Sequence, residues 1–131
     1  MRRATDSYRR VAVTTADPME VLVALYDGLL RHLHGAQIAM EGADAERVGQ
    51  TLFKALAILS ELDASIDRAA DPKFSNQLAA IYAWAQHELV QANMQRDPDR
   101  IAQVIPLIKD LRDAWADAAA KLRVEATRRA G

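Results

Sequence analysis

With 131 residues, half of them apolar and only 5% aromatic, the chain is long enough for one domain with a sizeable core, and its five glycines and four prolines leave little material for tight β-turns. No cysteine is present, which excludes disulfides and thiolate metal sites, and no apolar run approaches the roughly 18 residues that a membrane span needs. The formal net charge of −1 conceals an uneven spread. Residues 1–10 and 121–131 each hold four basic groups and one acid, so of 17 basic and 18 acidic groups the body between them keeps 9 and 16, a balance that argues against nucleic-acid binding.

Residues 1–16 lack a long apolar pattern. Tyr8, Val11 and Val13 are the only sizeable apolar groups among arginines and threonines, so this segment reads as an arm, mobile or carrying one short helical turn. Its basic start, MRRATDSYRR, is not followed by an apolar core and does not read as a signal peptide; a soluble cytoplasmic protein is the expectation. The first helix is expected from Asp17, where a capping carboxylate precedes Pro18 and Glu20 follows three residues after the cap. Leu22, Leu25, Leu29, Leu33, Ala36 and Met40 form its apolar stripe, with Tyr26, Leu30 and Gln37 beside it. Gly28 costs about 1 kcal/mol inside a helix relative to alanine, and its place beside Tyr26 and Asp27 suggests close packing against this turn. The helix is expected to end near Glu41, with Gly42 as a left-handed stop.

Asp44 is suited to cap a second helix with the stripe Val48, Leu52, Ala55, Leu56, Leu59, Leu62 and Ile66, running to about Ala70. The Asp-Pro pair recurs at Asp71-Pro72 and Asp97-Pro98, and each marks a further helix start. The third helix, roughly 73–95, carries Leu78, Ile81, Tyr82, Ala85, Leu89 and Ala92 inward, with either Asp71 or Ser75 as its cap and Trp84 off the stripe. The fourth has Ile101, Val104, Ile105, Ile108, Leu111, Trp115, Ala118 and Leu122 on its core face, and Pro106 predicts a kink or an irregular turn. Four helices with short connections give an all-α, antiparallel up-down-up-down four-helix bundle. The organisation expected is an arm over 1–16, the bundle over 17–122 and a basic tail over 123–131.

No catalytic constellation emerges. His32 and His34 stand two apart on a helix and point in different directions, and the Glu-x-x-His pattern of di-iron bundles is missing at all three histidines. A histidine phosphotransfer domain is an alternative helical bundle, but Gly35 follows His32 by three positions and no lysine lies near. No glycine-rich phosphate loop or nucleophile elbow is present, so no enzyme, metal or cofactor is expected.

Four stretches together resemble one family. VTTADPMEVLVALYDGLLR, with its Tyr26-Asp27-Gly28 triplet, is similar to the first core helix of the flagellar secretion chaperones. SELDASID at 60–67, LAAIYAWAQHELVQANMQRD at 78–97 and IKDLRDAWADA at 108–118 follow in that family's order and spacing. Departures are AADPKFSNQ at 69–77, where the family has a charged double-glycine turn, and Tyr82-Ala83-Trp84 with Gln86-His87-Glu88, where it has a second tyrosine and paired arginines. The resemblance implies a chaperone for the disordered carboxy-terminal region of flagellin, with the flagellar export gate as a further partner and no nucleic acid or membrane insertion. The candidate partner-binding residues are Tyr8, Val11, Tyr26, Asp27, Gly28, Tyr82, Trp84 and Asn93. Tethered apolar groups such as Tyr8, Val11 and Val13 gain by docking on an exposed groove, and the resemblance points the same way, so the arm is expected to cover the bundle until client displaces it; the alternative is an arm that stays disordered. A helical adaptor for another protein client is the competing expectation.

Overall fold

The structure is a computed structural model that describes residues 18–130. Helices α1 (Pro18–Glu41), α2 (Ala45–Ala64), α3 (Pro72–Gln95) and α4 (Pro98–Ala130) follow one another, joined by short connections. α1 packs on α2 and α4, and α3 packs on the same two, while the backbones of the diagonal pairs stay apart. Ion pairs Glu20–Arg123 and Asp27–Arg112 run in opposite chain directions along α1 and α4, as antiparallel neighbours require. The architecture is the expected up-down-up-down bundle.

The apolar stripes become the core because a helix buries one face and a closed ring of four gives each face a partner. Leu29, Leu33 and Ala36 of α1 meet Val48, Leu52, Ala55, Leu59 and Leu62 of α2, Leu78, Tyr82, Ala85 and Leu89 of α3, and Ile101, Val104 and Ile108 of α4. Asp44 caps α2 by accepting the Arg47 backbone N–H at 3.2 Å. Asp71 rather than Ser75 caps α3, accepting from the Phe74 N–H at 3.2 Å; Ser75 is buried and donates its hydroxyl to the Asp67 carbonyl at 3.0 Å.

Several expectations are corrected. Gly42 is not the left-handed residue; Ala43 is, at φ 55°. The Ala43 N–H bonds the Met40 carbonyl and the Asp44 N–H bonds the Ala39 carbonyl, a Schellman pair in which position 43 must be left-handed. α2 stops at Ala64, not Ala70. The Ser65 hydroxyl takes the Leu62 carbonyl at 2.8 Å, and the Asp67 carboxylate accepts the Ala69 N–H at 3.2 Å, so local bonds replace the helical ones. Of the kink or irregular turn expected at Pro106, the irregular turn is absent, since α4 is continuously helical through it. Both Pro106 and Ala102, whose carbonyl loses its donor, face solvent, where water can serve that oxygen. On the last turns Ala119 is buried, Leu122 is 45% exposed and Trp115 is only half-buried. The helix runs on through the basic segment to Ala130, with every residue from 120 to 130 exposed. Tyr8, Val11, Val13 and the capping role of Asp17 lie outside the described residues.

Candidate functional site

The Tyr26 and Tyr82 rings come from diagonal helices whose backbones stay apart, and their hydroxyls bond each other across the centre of the bundle. Both rings are buried. The Trp115 indole N–H of α4 donates to the Tyr26 hydroxyl at 3.3 Å, so one polar relay ties together three of the four helices. Phe74 closes the set, meeting the Trp115 ring edge-on with centroids 6.4 Å apart. Burial pushes both phenols above the usual tyrosine range. For Tyr26 the hydrogen bonds it shares with Tyr82 and Trp115 partly offset that rise, whereas for Tyr82 the one it shares with Tyr26 adds to it.

One step along α1, the Asp27 carboxylate accepts the Arg112 Nε–H at 2.8 Å, and Arg112 also reaches Asp113 at 3.2 Å. The hydrogen bond that Arg112 donates to Asp27 does most to hold the guanidinium more firmly charged than usual. Gly28 faces α2, and a Cβ there would meet Arg31 Nη2 at 3.5 Å and Ile58 Cδ1 at 3.6 Å. These are ordinary contacts, so the bundle itself does not require glycine at this turn. Trp84 is 37% exposed, and Asn93, half-buried, accepts from Arg96 at 3.2 Å. The structure therefore brings Tyr26 and Tyr82 together and places Asp27, Gly28, Trp84 and Asn93 on separate faces. Tyr8 and Val11 are outside the described residues.

Two features went unread in the pattern. A cavity of about 230 Å3 lies beside the relay, where the start of α1, the α2–α3 connection, α3 and Trp115 meet. On the outer α2/α3 face, Phe53 is 73% and Met94 72% exposed, with Val90 also exposed. The Gln86 side-chain N–H donates to Ser60 at 3.3 Å, and in an antiparallel pair helical spacing from that bond puts Val90 and Met94 one and two turns along, at the levels of Leu56 and Phe53. The signal was available: large apolar residues at 53, 90 and 94 stand off the stripes that mark the core.

Among the described residues no group of three His, Asp or Glu side chains is placed to hold a metal ion, and no helix is long and apolar enough to cross a membrane. His34 and His87 are exposed. His32, across from Lys54, has its pKa lowered, by partial burial first and then by Lys54 and Arg31.

The chain is similar to known proteins over most of its length. Residues 1–122 match the family model described as flagellar protein FliS. The flagellar secretion chaperone FliS of Bacillus subtilis is 36% identical over 112 residues, which cover 86% of this chain and 83% of that protein. Those of Escherichia coli and Salmonella typhimurium are each 28% identical, over 120 and 118 residues; they cover 88% and 89% of this chain and 88% and 87% of their own lengths.

Proposed function

This chain belongs to the flagellar protein FliS family of flagellar secretion chaperones, and from that membership we propose that it is a cytoplasmic export chaperone whose client is flagellin. It binds the disordered carboxy-terminal region of the client, keeps it from polymerising before export and delivers it to the flagellar type III export apparatus.

The observation that supports this reading is the exposed apolar side chains on the adjacent helices α2 and α3, Phe53, Val90 and Met94, around a bundle with a closed apolar core. An amphipathic segment folding on that surface would lay anchors at helical spacing into the groove while its polar face stayed in water. Large apolar side chains left in water by a folded domain mark a surface that a partner covers. The same anchors on a free client would otherwise serve filament contacts, so covering them holds the client unassembled. Release at the export gate calls for many modest contacts, and no covalent or metal link is needed. The work is binding, not catalysis.

The test is co-purification of the full chain with flagellin and with flagellin lacking its last roughly 40–50 residues, a length that crosses the bundle and returns. Retention of intact flagellin and loss of the shortened form is the expected result. Equal retention of both, or of neither, contradicts the reading.

A further inference from the structure

The cavity beside the relay has a wall of unusual composition. Leu22, Ile66, Phe74, Leu78 and Trp115 supply apolar surface, and Ser75 and Tyr82 line it as buried residues with hydroxyls, of which the Ser75 hydroxyl already donates to the Asp67 carbonyl. Its volume of about 230 Å3 exceeds the roughly 150 Å3 of an engineered apolar cavity that binds benzene, so one aromatic or branched aliphatic side chain fits with room to spare.

The hydrogen-bond count singles out what else an occupant must bring. The relay holds three donors, the Trp115 N–H and two tyrosine O–H groups, but only two bonds join them. The indole nitrogen can only donate, so the Tyr26 oxygen is its acceptor. If Tyr26 then donates to Tyr82, the last proton sits on Tyr82, a wall of the cavity. In the reverse order it sits on Tyr26, which is fully buried and does not line the cavity, at the full cost of a buried unpaired donor. The first arrangement is the stable one, and among the described residues no acceptor is bonded to that proton.

We propose that this cavity is an anchor subsite for the client, which takes one bulky apolar side chain together with the backbone carbonyl that accepts the Tyr82 proton. The inference rests on the chaperone reading above and deepens it. A peptide supplies both groups within one residue, which neither a hydrocarbon nor an ion does. Asp67 and Asp71 stand at the rim, both exposed, so the residues flanking the anchor are neutral or basic rather than acidic.

The experiment is calorimetric titration of the full-length chain with a synthetic flagellin carboxy-terminal peptide, with melting temperatures measured in parallel. Leu22→Trp fills the cavity and is expected to weaken binding at least tenfold while the melting temperature holds or rises. Ile66→Trp, on another wall, repeats the filling where the first change disturbs the start of α1. Tyr82→Phe keeps the apolar wall, removes the terminal donor and is expected to weaken binding about fivefold. Unchanged affinity in both filled variants overturns the subsite. A filled variant that loses melting temperature but not affinity also overturns it, because a segment of this chain then occupies the cavity. Unchanged affinity in Tyr82→Phe alone overturns the carbonyl. Failure of the unaltered chain to bind the peptide overturns the chaperone reading itself and is read before any variant.

Discussion

At the scale of single residues, Tyr26 carries more than its neighbours because its one oxygen serves two partners. Tyr26→Phe strips the acceptor from the Trp115 N–H and the partner from Tyr82 at once, whereas Tyr82→Phe breaks one bond. A denaturant titration is expected to show a loss of about 2 kcal/mol for the first and about 1 kcal/mol for the second. Alkali tests the same pair. Both phenols have raised pKa values in the fold, and burial is the leading cause. Above about pH 10 the unfolded chain releases those protons while the folded one keeps them, so stability is flat below that pH and then falls by up to about 1.4 kcal/mol per pH unit for each tyrosine. Urea midpoints measured from pH 8 to 11 are expected to drop more steeply for the unaltered chain than for the doubly substituted Tyr26→Phe, Tyr82→Phe chain. Parallel slopes would mean that the two phenols are not buried as described. Gly28 gives the opposite sign. A methyl group there meets only ordinary contacts, so Gly28→Ala is expected to raise stability by about 1 kcal/mol in the same titration.

At the scale of helices, the connections decide what was readable. The starts of α2 and α3 were legible because a carboxylate cap acts on the N–H groups two or three residues ahead, a purely local event. Ends are less local. Residues 65–70 keep a composition that a helix tolerates, and α2 stops only because Ser65 and Asp67 take backbone groups for themselves. The glycine at 42 pointed to a left-handed stop one residue early, since the Schellman bonds select Ala43 for that role. An L-residue in this conformation is strained by about 1–2 kcal/mol. Ala43→Gly is therefore expected to raise the melting point, with a net gain of about 1 kcal/mol after the extra freedom glycine gives the unfolded chain. An unchanged or lowered melting point would place the left-handed residue elsewhere. The candidate site divides along the same line. Tyr26 and Tyr82 are recognisable as inward positions from period alone, but their meeting depends on the register of diagonal helices, which no local pattern encodes. Trp115 follows the stripe of α4 and packs against Phe74, yet is only half-buried, because it also borders the open cavity.

At the scale of the whole molecule, protection against unfolding is expected to follow how completely each helix is enclosed. α1 is flanked by α2 and α4 along its length, and Leu29, Leu33 and Ala36 are fully buried. α4 begins equally well held: Ile101, Val104 and Ile108 are buried, and Arg100 ties its first turn to Glu88 of α3 at 3.0 Å. Its far end differs. Arg123 pairs with Glu20, two residues past the first residue of α1, so the turns beyond it extend past the described end of that helix. Residues 120–130 are all exposed, and a helix of that length with little beyond the Arg123–Glu20 pair to hold it to the described residues is marginal in water. Amide exchange in the isolated full-length chain is therefore expected to be orders of magnitude faster over 120–130 than over 26–36, with 101–108 close to the latter. Adding a flagellin carboxy-terminal peptide separates two roles for the extension. If the client packs on Leu122 and Val124, 45% and 55% exposed, protection spreads to the end of α4. If the client is held by the cavity and the α2/α3 groove, protection rises around Leu22, Phe53, Tyr82 and Met94 and leaves 120–130 as fast as before. The second pattern is the expected one, because those residues surround the cavity and the apolar row, while the extension alternates Lys121, Leu122, Arg123 and Val124 and so presents no continuous apolar face.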